Sequence, residues 1–176
     1  MAKKSKAPKR EAPSRMTPIP AGYRTLTPFL IIDGAAKALD FYQKALGAKE
    51  ITRAALPDGK LMHASLKIGD SYLMLCDEFP GAASRAPTSV GVSTSSIHVY
   101  TRNVDEMWQK AVLAGMKVIQ PLDNQFWGER YGQLMDPFGH VWALSMRINM
   151  PAEEKDRKQR EAMAAMLGSE KPGNTS

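Results

Sequence analysis

An internal repeat limits what this chain can become more than any other property of its sequence. From Tyr23 to Ile32 the residues are apolar and β-branched, which suits a strand. Asp33-Gly34 offers a turn and an N-cap. Ala35, Ala38, Leu39, Tyr42, Ala45 and Leu46 follow at helical spacing, and Gly47 is a natural stop. Strands are expected around 49–56, 61–68 and 71–77, with turns at Asp58-Gly59 and Gly69-Asp70. The same order then recurs. Ser95 to Thr101 reads as a strand, and Val104, Met107, Trp108 and Ala111 form a helical stripe stopped at Gly115. Strands around 116–122, 129–135 and 140–147 complete the second copy. Gln43-Lys44-Ala45 matches Gln109-Lys110-Ala111, Gly47 and Gly115 lie 68 residues apart, and Gly69 and Gly139 lie 70 apart. Two βαβββ modules are the simplest explanation. The expected organisation is a tail over 1–21, one domain over 22–147 and a C-terminal segment over 148–176. Within the domain, module one spans 22–77, a linker 78–94 and module two 95–147. The linker is rich in Gly, Ala, Ser and Pro. Pro151 with Glu153 and Glu154 opens a marginal, mostly solvated helix.

Charge follows the same division. The net +6 is concentrated in residues 1–15, where six basic residues meet one acidic residue. Residues 16–150 carry 13 basic and 12 acidic residues. The basic tail lacks the apolar surface to offset its ordering entropy and is expected to be disordered. It has no interleaved aromatics to stack bases, so nucleic acid is not an expected partner. No apolar run is long enough to span a bilayer, and one cysteine, Cys76, forms no intramolecular disulfide. A cytoplasmic protein fits these properties.

Alternation along the strands assigns their faces. Ile97 and Val99, Leu73 and Leu75, Trp142 and Leu144, and Ala64, Leu66 and Ile68 suit the side covered by each module's helix. The far faces then carry Ser96, His98 and Tyr100, with Tyr72, Met74 and Cys76 on β-residues 71–77. Val141, Ala143 and Ser145 join them, as do His63, Ser65 and Lys67. Thr25, Thr27, Phe29 and Ile31 form one face of the first strand. A concave surface of this mixed polar and aromatic kind suits a small organic ligand.

With Leu39-Asp40-Phe41-Tyr42 in the first helix and Asp136-Pro137-Phe138-Gly139-His140 before the last strand, the paired modules resemble the vicinal oxygen chelate superfamily. That group includes glyoxalase I, bleomycin-resistance proteins and extradiol dioxygenases. Thr27-Pro28-Phe29-Leu30 and Phe126-Trp127-Gly128-Glu129-Arg130-Tyr131-Gly132 resemble its PhnB-like branch more narrowly. The resemblance covers roughly 22–147. It implies an α+β fold, a curled mixed sheet around a ligand cavity with helices outside, and a homodimer. It also implies metal ligands on the first and last strand of each module, and the matching positions are Thr27, Met74, Ser96 and Ala143, with 69 residues from the first to the third and from the second to the fourth. A thioether, two hydroxyls and a methyl group are poor ligands for a divalent ion. No metal and no cofactor are therefore expected, and the leading function is binding of a small organic molecule. His63 and His98 leave an alternative, a metal-dependent lyase or isomerase with relocated ligands. His63 would also serve as a general base, whereas His140 suits a structural role in its turn. Arg130, between Trp127 and Tyr131, either clamps a carboxylate or phosphonate bidentately, pairs with Glu129 or Asp136, or is an ordinary surface charge. The ligand-binding candidates are Thr27, His63, Met74, Ser96, His98, Trp127 and Arg130; no catalytic residue is assigned.

Overall fold

The computed structural model describes residues 17–168; residues 1–16 and 169–176, with nearly all of the basic tail, lie outside the described residues. Module one comprises β1 (Phe29–Ile32), α1 (Ala35–Leu46), β2 (Lys49–Ala55), β3 (Leu61–Ile68) and β4 (Ser71–Asp77). A short helix, α2 (Pro87–Val90), interrupts the linker. Module two comprises β5 (Ser96–Tyr100), α3 (Val104–Ala114), β6 (Lys117–Gln125), β7 (Glu129–Met135) and β8 (Val141–Arg147), and α4 (Ala152–Gly168) follows. The strands form two four-stranded mixed sheets of identical topology, β1-β4-β3-β2 and β5-β8-β7-β6. In each, the first strand pairs parallel with the last, and the other pairs are antiparallel. Neither sheet is closed. No helix among the described residues is long and apolar enough to cross a membrane.

The repeat and its helices lie where the spacing puts them, and the boundaries differ for local reasons. β1 is shorter than the apolar run because its first residues turn. Tyr23 N donates to Pro20 O at 3.1 Å, and Thr27 Oγ1 donates to Arg24 O at 3.0 Å. Thr25 and Thr27 thus precede the strand. Gly34, not Asp33, is the N-cap of α1, and it has no side chain to give. The carboxylate of Asp77, at the end of β4, does the capping instead. It accepts from Gly34 N at 3.1 Å and Ala35 N at 3.0 Å, while its other oxygen accepts from Leu61 N at 2.6 Å. One buried acid thereby joins the start of α1, the start of β3 and the end of β4.

α1 buries Ala35, Ala38, Leu39, Tyr42, Ala45 and Leu46, and α3 packs beside it. The two modules therefore share one core, with Leu66, Leu75, Leu134, Trp142 and Leu144 inside it. Tyr42 reaches across to module two, where its hydroxyl donates to Asp136 Oδ2 at 2.7 Å. Gly132 lies under Trp108 of α3; a Cβ there would come within 2.6 Å of the indole, so only glycine permits this approach.

His140 ties the same turn to module one. Its Nε2 lies 3.2 Å from Ile31 O, and a carbonyl only accepts, so Nε2 carries the proton. Burial lowers its pKa from 6.5, against the opposing pull of Asp136 and of the Ile31 hydrogen bond. Between the lowered value and 6.5 the unfolded chain binds a proton that the fold refuses. Stability from this group is complete above pH 6.5 and declines below it. Comparing melting temperatures at about pH 7.5 and about pH 5.5 should show a drop that His140→Gln reduces; an equal drop in the variant would assign it elsewhere.

Candidate functional site

The far faces are open. Phe29 is 44% exposed, Tyr100 64% and Trp127 41%. On module two, β5 contributes His98 and Tyr100, β7 contributes Glu129 and Tyr131, β8 contributes Ser145, and Trp127 precedes β7. The rings adjoin one another: His98 lies 4.6 Å from Tyr100 and 5.6 Å from Tyr131 by centroid, and Trp127 lies 5.5 Å from Tyr131. Glu129 sits among them. Its Oε1 accepts from Tyr100 Oη at 2.8 Å, and its Oε2 accepts from Trp127 Nε1 at 3.1 Å and Ser145 Oγ at 2.8 Å. Burial acts to raise the Glu129 pKa, but the hydrogen bonds from Tyr100, Ser145 and Trp127 outweigh it and the net shift is downward. The same bond to Glu129 raises the pKa of the Tyr100 phenol.

Module one is built alike. Phe29 stacks on His63 at 6.1 Å. Ser65, opposite Met74 in the register, meets the Tyr23 hydroxyl at 2.7 Å and accepts from Thr52 at 3.1 Å. Tyr23 also covers Tyr72, with centroids 4.6 Å apart. Cys76 is buried on this face; burial, then Asp77, raises its pKa, so it is held as a thiol rather than a thiolate.

The register gives the Cα partners of two of the family positions. Met74 pairs with Phe29, and Ala143 pairs with His98. The residues beside Met74 and Ala143 are thus two positions beyond Thr27 and Ser96, and the spacing of 69 still holds. One imidazole, one thioether, a phenyl ring and a methyl group do not suit a divalent ion. Among the described residues, no three His, Cys, Asp or Glu side chains gather where they could hold one.

Arg130 requires correction as a cavity clamp. It projects from β7 on the same side as Gly132, toward α3, where Asp105 takes its Nε at 3.0 Å and its Nη2 at 2.6 Å. That pair, rather than Glu129 or Asp136, holds the guanidinium and draws the Asp105 pKa down. His98 and Trp127 instead meet through Tyr131, and Ser96 is exposed on the His98 side of β5. Thr27 and His98 line one cavity of about 480 Å³, between residues 24–28 with the β3–β4 turn and the free edge of β5. Glu129, Tyr100, Tyr131 and Phe29 complete the far faces and were not among the sequence candidates. Alternation from Trp127 would have put Glu129 and Tyr131 together and Arg130 opposite.

The Glyoxalase/Bleomycin resistance protein/Dioxygenase superfamily matches residues 25–144. An uncharacterized protein of Mycobacterium tuberculosis is 45% identical over 126 residues, spanning 70% of this chain and 74% of that protein. The crystal structure of TioX from Micromonospora is similar with a TM-score of 0.56 and 23% identity, covering 73% of this chain and all of that one. The PhnB protein of Bacillus cereus is similar with a TM-score of 0.56 and 18% identity, covering 70% and 99%. At these identities the two structures establish the fold alone.

Proposed function

Because this chain belongs to the Glyoxalase/Bleomycin resistance protein/Dioxygenase superfamily, we propose that it binds a small organic molecule against its far sheet faces, without the metal of the family's enzymes. The observation that carries this reading is the aromatic far face of module two, left open around an ordered carboxylate. We further propose that a second copy of the chain covers these faces in a homodimer, since Phe29, Tyr100 and Trp127 are large side chains left exposed there. One cysteine, buried and unpaired, supports a reducing cytoplasm as its compartment. The bound molecule is sequestered or undergoes a reaction.

Native mass spectrometry of the purified protein should find a dimer retaining an organic mass. Ser96→Trp, which fills the far face beside His98, should lose that mass while remaining folded. A variant that unfolds would mean position 96 faces the core; a wild-type protein with no organic mass would count against the reading.

One observation favours a second reading. His63 on β3 and His98 on β5 each lie against an aromatic ring on their module's far face. A metal-dependent lyase or isomerase with relocated ligands would use them. Elemental analysis should find no stoichiometric zinc, nickel, iron or manganese; one metal per chain, lost in His63→Ala or His98→Ala, would make the second reading the leading one.

A further inference from the structure

Resting on the reading that the far faces bind an organic molecule, we infer that the ligand at Glu129 is an organic cation, a quaternary ammonium or protonated amine. Three neutral donors hold this carboxylate, and none brings a positive charge. No ion pair among the described residues includes it. The two guanidinium groups nearest in sequence and register do not neutralise it. Arg130 is committed to Asp105 on the other side of the sheet. Arg147, the Cα partner of Glu129 in the β7–β8 register, is exposed and makes no ion pair with it. The other titratable groups on this face are the phenols Tyr100 and Tyr131, which bring no positive charge, and His98, which also acts to lower the Glu129 pKa.

The surroundings complete the chemistry. His98, Tyr100, Tyr131 and Trp127 adjoin one another around the acid. Aromatic faces attract cations through their quadrupole, and the attraction is strongest for a weakly hydrated one such as a methylated ammonium. The donors to Glu129 also fix its orientation before any ligand arrives, so binding does not have to order it. An anion would meet an ionised carboxylate kept ionised by its hydrogen bonds. A small divalent cation would find one carboxylate where it needs several oxygens.

The test compares choline with its neutral carbon isostere, in which a tert-butyl group replaces trimethylammonium. The indole N–H resonance of Trp127, identified by its loss in Trp127→Phe, reports binding beside Glu129. Choline should shift it saturably, and the isostere should bind about tenfold more weakly or worse. Glu129→Gln preserves the shape of the side chain and should weaken choline by about tenfold while leaving the isostere unchanged. Arg147→Gln should not weaken choline. Equal affinity for the two compounds, in wild type and Glu129→Gln alike, overturns the cation and leaves the organic-ligand reading intact. No shift with either compound overturns the cation, and the organic mass found on the wild-type protein then decides separately whether the far face binds at all.

Discussion

Asp136→Ala should lower the melting temperature by about 10 °C, corresponding to about 3–5 kcal/mol. Asp136 is buried, and four donors converge on it. Oδ2 accepts from the Tyr42 hydroxyl at 2.7 Å and the Trp142 indole at 2.8 Å; Oδ1 accepts from Phe138 N and His140 N, both at 2.9 Å. Alanine leaves all four without a partner inside the shared core, and each orphaned buried group costs about 1–3 kcal/mol before any water enters. Tyr42→Phe removes one donor and orphans nothing comparable, so it should cost only about 1 kcal/mol. Thermal denaturation followed by circular dichroism measures both. If Asp136→Ala costs no more than Tyr42→Phe, the acid is not what joins the modules.

Asp77→Ala should be the second most damaging of these changes, at about 3 kcal/mol. It frees the amides of Gly34, Ala35 and Leu61 together. Hydrogen exchange at Ala35 and Leu61 should accelerate well beyond the global change, because the start of α1 loses its cap and the start of β3 loses its anchor. Asp33→Ala, at the position the sequence offers as the cap, should fall within about 0.5 kcal/mol of wild type. The reverse order of effects would return the capping role to Asp33.

The contrast between Asp33 and Asp77 marks how far the sequence could be read. Apolar periodicity, turn residues and the repeat located α1, α3 and the sheet strands, because each of these signals is local. The face assignments of β3, β4, β5 and β8 followed from alternation for the same reason. The end of β4 meeting the start of α1 is a contact across 42 residues, and nothing near Asp33 announces it. Arg130 failed as a clamp for a different reason. It is close in sequence to Trp127 and Tyr131, but one step along a strand reverses the face. Glu129, next to Arg130 in sequence, stands back to back with it for the same reason. Spacing fixes the distance between modules but not the register within each, and the parallel pairing of first and last strand sets Phe29 beside Met74 and His98 beside Ala143.

That parallel pairing also sets an order of events during synthesis. β2, β3 and β4 can pair with their neighbours as they emerge, but β1 has no partner until β4 has left the ribosome. Once Asp77 is out, module one can close its own sheet and cap its own helix. The Tyr42 hydroxyl must still wait, since its acceptor lies 94 residues downstream. Through that interval the nascent chain presents a finished sheet with an unfinished helix face, and its sides come together only when the Asp136 turn is made. Translation speed through module two, rather than through module one, therefore governs how long that apolar helix face stays bare.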